Sequence, residues 1–275
     1  MTKPQRDTLK KKLLNGQNIY GTCITSNAPL WPKVVANSKL DFVFLDTEHI
    51  PLNRSQLAGM CQSYQALGLS PIVRIPSPDP YRASQAIDDG AIGVIAPYLE
   101  HPNQIKSLVG AIKYRPLKGN KLESILQGKT KPSQELNTYL DEYNFGNLCI
   151  ANIESLPAVD RLDEILNIEG LDGVFIGPHD LSINMGIPEQ YDHPDFIATV
   201  KIIIEKARKY TMGVGIHFSQ DPQRQINWMK EGVNIIIHSS DMALFGNQLQ
   251  HDIEKIKSSV NDIQKPASTD NSFHI

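Results

Sequence analysis

Cysteine is scarce in this 275-residue chain: Cys23, Cys61 and Cys149 are the only three, far apart and with no C-x-x-C pair. That excludes a disulfide framework and a thiolate zinc site, and the expectation is a reducing, cytoplasmic compartment. A basic excess is also missing. Lys and Arg total 27 against 30 Asp and Glu, for a net charge of -3, which argues against a nucleic-acid partner. No run approaches the roughly 18 consecutive apolar residues of a membrane span, and the basic N-terminus MTKPQRDTLKKKLLNGQ lacks the apolar core of a signal peptide. Neither membrane nor nucleic acid is expected as a partner, which leaves small molecules.

What the chain does have is alternation. Eight short apolar, β-branched runs bounded by turn residues fall at 20–26, 42–49, 70–76, 93–99, 147–155, 173–181, 213–218 and 234–241. Between them lie segments with apolar residues three to four apart, such as LNRSQLAGMCQSYQALG, HPNQIKSLVGAIKY, LPAVDRLDEILNIEG and HPDFIATVKIIIEKARKY. Runs such as VFL, GVFIG and NIIIH are apolar on both faces, as in parallel strands covered by helices. Eight strand-helix units predict a single (β/α)8 barrel, an α/β fold, over residues 1–265. An open doubly wound sheet is the alternative, but it would usually carry a Gly-rich phosphate turn after its first strand, where this chain has ITSNAPLW. Two stretches fall outside the repeating unit: 115–146, an excursion or subunit-contact segment, and 266–275, a polar tail expected to be disordered.

Barrel enzymes carry their chemistry at the C-terminal ends of the strands. There the second run ends in Asp46-Thr47-Glu48-His49, the third carries Arg74, the fifth ends in Asn152-Ile153-Glu154 and the sixth runs into Gly177-Pro178-His179-Asp180. Neighbouring parallel strands are about 4.8 Å apart, so Glu154 and Asp180 can bring two carboxylates onto one hard divalent ion such as Mg²⁺ or Mn²⁺. The plainer readings are a helix cap for Asp180 and a surface ion pair for Glu154; His217 and His238, on the last two strands, read either as further polar groups beside His179 near the mouth or as packed, hydrogen-bonded rings. None of the runs contains a lysine, which weighs against Schiff-base chemistry.

The strings FVFLDTEH, PIVRIP, AIDDGA, NIES and LDGVFIGPHDLS resemble the HpcH/HpaI aldolases, metal-dependent barrels that cleave 4-hydroxy-2-oxo acids to pyruvate and an aldehyde. The resemblance covers roughly residues 18–245. It implies a divalent cation (Mg²⁺, Mn²⁺ or Co²⁺) held by Glu154 and Asp180, and Arg74 facing the substrate oxo group. His49 and Asp46 would handle the proton, with Glu48 beside them, and Asn152, His179 and Asp180 would contact the substrate. It further implies a homo-oligomer, a hexamer in the family, in which Asp88 of AIDDGA reaches the histidine of a neighbouring copy. As the C-terminal residue of a helix, Asp88 also reads as a plain surface acid.

The sequence departs from the family at its edges. Asn152 stands where Gln is usual and His179 where a small residue is usual, and Gly119-Asn120-Lys121-Leu122 replaces a Gly-x-Arg-Gly stretch. An unusual second substrate is therefore expected. A CoA-ester lyase of the citrate lyase β type and an oxo-acid-binding barrel that has lost turnover are the competing readings.

Overall fold

The computed structural model describes residues 3–218, 222–260 and 262. In chain order, helix α1 (Lys3–Leu14) precedes β1 (Ile19–Ile24), α2 (Trp31–Ala36), β2 (Phe42–Asp46), α3 (Arg54–Ala66), β3 (Ser70–Arg74), α4 (Pro80–Asp88), β4 (Gly93–Ala96) and α5 (Pro102–Lys113). Then come α6 (Gly119–Leu126), α7 (Gln134–Tyr143), β5 (Leu148–Ile153), α8 (Leu156–Asp160), α9 (Leu162–Leu166), β6 (Gly173–Ile176) and α10 (Pro178–Asn184). The last elements are α11 (Pro194–Lys209), β7 (Gly213–Phe218), α12 (Pro222–Glu231), β8 (Ile235–Ser240) and α13 (Asp241–Ser259). The eight strands close in sequence order into a parallel barrel, β1 pairing with both β2 and β8. The (β/α)8 expectation is what the structure shows.

Alternation along each strand sorts residues into two layers. Phe44, Ile72, Ile95, Ile150, Phe175 and Ile237 pack together inside the barrel. Their neighbours Leu45, Val73, Val94, Ala151, Val174 and Ile216 pack outward with the helices. The inward parity carries Asp46, Arg74, Asn152 and His217 to the top of the interior. At the opposite end α1 closes the barrel, its Leu9 and Leu13 joining the interior cluster. Gly213 makes room for that plug, since a Cβ there would lie 2.4 Å from Leu13 Cδ1.

A buried ion pair ties this lower end together. The Asp172 carboxylate accepts from Lys113 Nζ and from the Cys149 N–H at 2.7 Å, and Lys113 Nζ also donates to the Asn147 carbonyl. Asp172 is 5% and Lys113 13% exposed. Removing one partner of such a pair strands the other in a poor solvent for charge, so Asp172→Ala is expected to lower unfolding free energy by about 3–5 kcal/mol. Denaturant unfolding of the two proteins checks this; a change under 1 kcal/mol would count against it.

Several boundaries differ from expectation. The run 173–181 is strand only to Ile176, because Pro178 has no N–H for a ladder and instead opens α10 with Gly177 as its cap. Asp180 therefore sits in the first turn of a helix. LPAVDRLDEILNIEG is split at Arg161 into α8 and α9. The excursion 115–146 folds as α6 and α7, and a Cβ on Gly110 of α5 would lie 2.7 Å from Leu126 Cδ1, so α6 packs tightly on α5. Residues 266–275 lie outside the described residues. No helix among the described residues is long and apolar enough to cross a membrane.

Candidate active site

Asp46 and Arg74 face each other in the β2–β3 register at the upper rim. Arg74 Nε donates to Asp46 Oδ1 at 3.0 Å and Nη2 donates to Oδ2, a two-point clamp that fixes the plane of the guanidinium. Asp46 is 1% exposed, and its Oδ1 also accepts the backbone N–H groups of Glu48 (3.0 Å) and His49 (3.4 Å). The loop after β2 is thus folded around the Asp46 carboxylate. Arg74 also lies 5.6 Å above the Phe44 ring and its Nε is 3.3 Å from Glu48 Oε2. Burial opposes the Arg74 charge, but Asp46, Glu48 and Glu154 outweigh it and its pKa is raised.

His49 is half-exposed, with Nε2 3.8 Å from Glu48 Oε2. Its contact with Asp46 runs through its backbone, so its side-chain acid is Glu48. Burial raises the Glu48 pKa; Arg74 and His49 pull it down, and Asp46 and Asp180 push it up.

Glu154, just past β5, is 2% exposed. Its Oε2 accepts from Asn152 Nδ2 and its Oε1 from the Tyr98 N–H at 2.7 Å. Burial pushes its pKa up to about 7 against the pull of the Tyr98 N–H, and the charges of Asp180 and Glu48 add to the rise. Gly177 is needed beside it: a Cβ there would lie 2.4 Å from Glu154 Oε2 and 3.0 Å from Glu154 Cβ. Asp180 accepts from the Tyr98 hydroxyl at 3.2 Å. Tyr98, in the loop after β4, is the site residue that the sequence did not flag; its run, APYLE, shows only apolar residues before the loop.

The remaining candidates separate. His179 is 58% exposed and its Nδ1 is 3.4 Å from Glu189 Oε1, on the outer rim. His238 Nδ1 shares a hydrogen bond of 2.9 Å with Gln225 Oε1 of α12, which makes it a packed structural ring. His217 points inward, 6.5 Å from the Phe44 ring. It hydrogen-bonds the Ser239 backbone while Nε2 is buried without a partner, so Nδ1 carries the proton and Nε2 is a bare acceptor. Burial lowers its pKa to about 4, so the ring is neutral. Asp88, at the end of α4, is half-exposed and pairs with Arg115, away from His49 of its own chain.

Does this donor set suit a divalent ion? Glu154, Asp180 and Glu48 repel one another across the mouth, and Glu154 is buried deeply enough that burial and that repulsion bring its pKa to about 7. A hard cation relieves that repulsion, and carboxylate oxygens are the ligands it prefers. Among the described residues no three His, Cys, Asp or Glu side chains form a complete cage. Two carboxylates with open positions are what a Mg²⁺ site shared with substrate oxygens requires.

A closed parallel barrel with an arginine, a buried carboxylate and further acids at its C-terminal mouth has its polar residues where barrel enzymes carry their active sites. The model of the family HpcH/HpaI aldolase/citrate lyase matches residues 20–247, and the chain belongs to that family. It is 26% identical over 252 residues to the 2-keto-3-deoxy-L-rhamnonate aldolase of Escherichia coli, which covers 92% of this chain and 94% of that one. Among solved structures it is similar to an HpcH/HpaI aldolase from Desulfitobacterium hafniense DCB-2, with 26% identity, TM-score 0.78 and coverage of 90% and 96%. The citrate synthase SbnG gives 27% identity and TM-score 0.78, covering 92% of this chain and 98% of that one.

Proposed function

We propose that this chain is a divalent-metal-dependent aldolase that cleaves a 4-hydroxy-2-oxo acid to pyruvate and an aldehyde, or joins the two. The observation that carries the reading is that Tyr98 donates to both Glu154 and Asp180 at a mouth that also holds an Arg74 clamped by Asp46. Glu154 and Asp180 would hold the ion, and a bound Mg²⁺, Mn²⁺ or Co²⁺ supplies Lewis-acid polarisation of the substrate carboxylate and 2-oxo group. Arg74 faces the 2-oxo oxygen and stabilises the charge that grows there as the bond between C3 and C4 breaks. Asp46 sets the guanidinium plane in advance, so little reorganisation accompanies the step. His49, beside Glu48, accepts the 4-hydroxyl proton in cleavage and returns it in condensation. Asn152 orients Glu154, and His179 lies where the substrate enters. A neighbouring copy's Asp88 would complete the histidine's surroundings.

Schiff-base chemistry finds no support. The buried Lys113 ends α5 at the lower end of the barrel, committed to Asp172 and the Asn147 carbonyl. Supplying a 4-hydroxy-2-oxo acid with Mg²⁺ and measuring pyruvate with lactate dehydrogenase tests the proposal; absence of pyruvate across a panel of such acids would overturn it.

His217 Nε2 has no accessible surface, so the ring packs in the barrel interior and does not meet the aldehyde.

Self-association is proposed on α13. Its residues Phe245, Leu249, Ile253 and Ile256, and Val260 just past its end, are all exposed, between 41% and 67%. Their spacing of four, four, three and four puts them on one face, and a stripe of that kind buries itself against another chain. Wild type should sediment as an oligomer, and Phe245→Asp with Ile256→Asp should shift it toward monomer; a monomeric wild type would contradict this.

A further inference from the structure

We infer that Tyr98 is a positioning residue that fixes both candidate metal ligands from one point in the loop after β4. The inference rests on the metal-dependent reading above. Tyr98 gives its backbone N–H to Glu154 Oε1 at 2.7 Å and its hydroxyl to Asp180 Oδ1 at 3.2 Å. Those carboxylates belong to different elements, one just past β5 and one in α10, and two like charges brought together separate unless donors hold them. One residue provides a donor to each.

The backbone of Tyr98 shows the same commitment. Its φ is +48°, in the left-handed region that a bulky aromatic seldom enters. Such a conformation persists where the surroundings over-determine it. Core packing is not the cause, because the side chain is 48% exposed. What the turn achieves is to aim the N–H at Glu154 while the ring extends across to Asp180. The hydroxyl engages one oxygen of Asp180, a partner of the kind that orients carboxylate ligands in metal sites.

The test is Mn²⁺ binding by the full-length protein, read as free ion by electron paramagnetic resonance, so that turnover plays no part. Tyr98→Phe removes only the hydroxyl and is expected to weaken Mn²⁺ binding roughly 10- to 100-fold, the usual loss when such a partner is removed, with the melting temperature unchanged. Tyr98→Gly keeps the N–H and relaxes the left-handed backbone; it should lose the same affinity while melting no lower than wild type. A Tyr98→Phe protein that binds Mn²⁺ as tightly as wild type overturns the positioning role and leaves the metal reading standing. A wild type that takes up no Mn²⁺ overturns both.

Discussion

Glu154→Gln is expected to reduce aldol cleavage by roughly 10³-fold or more, because losing the proposed metal ligand would forfeit several kcal/mol of charge stabilisation. The amide keeps the shape that Gly177 and Asn152 enclose, so the fold should survive and the melting temperature should hold. Chelation and exhaustive dialysis of wild type should produce the same loss, reversed by Mg²⁺, Mn²⁺ or Co²⁺, whereas the variant should stay inactive when the ion is returned. Full activity in excess EDTA would refute the metal dependence.

Arg74 is the second large effect. Arg74→Ala would mix two losses, since Asp46 is 1% exposed and its carboxylate would be left buried without its counter-charge. Arg74→Lys separates them. Lysine keeps the positive charge but lacks the planar fork that meets both oxygens of Asp46. It is expected to cost roughly 10² to 10³ in kcat, the scale of one transition-state donor, with a much smaller effect on stability. Steady-state kinetics with denaturant unfolding checks both halves. A change confined to KM would mean that Arg74 only binds substrate.

The barrel was legible because its signal is periodic and repeated. Eight apolar runs in alternation with helical segments leave few architectures, and those runs lie on the eight strands in order. Their ends were less legible: 42–49 and 173–181 continue past Asp46 and Ile176 into loop and helix, since hydrophobicity does not mark where a ladder stops but Pro178 does. Asp46, Arg74 and Glu154 could be singled out because each puts a charge into an otherwise apolar strand. Tyr98 could not, because half of its contribution is a backbone N–H aimed by an unusual φ. His217 and His238 look alike as residue types, and only the inward parity of one and the Gln225 partner of the other tell them apart. Asp172 and Lys113 are 59 residues apart, a pairing no local pattern announces.

Loaded with a divalent ion, this mouth is proposed to draw charge from pyruvate and so to loosen its methyl protons. The most direct measurement is exchange of the pyruvate methyl protons in D₂O, followed by proton NMR with no aldehyde present. Signal loss that requires Mg²⁺, and that falls steeply in both Glu154→Gln and Arg74→Lys, is the predicted result. Exchange no faster than in the protein-free control with the ion present, or equally fast in EDTA, would contradict it.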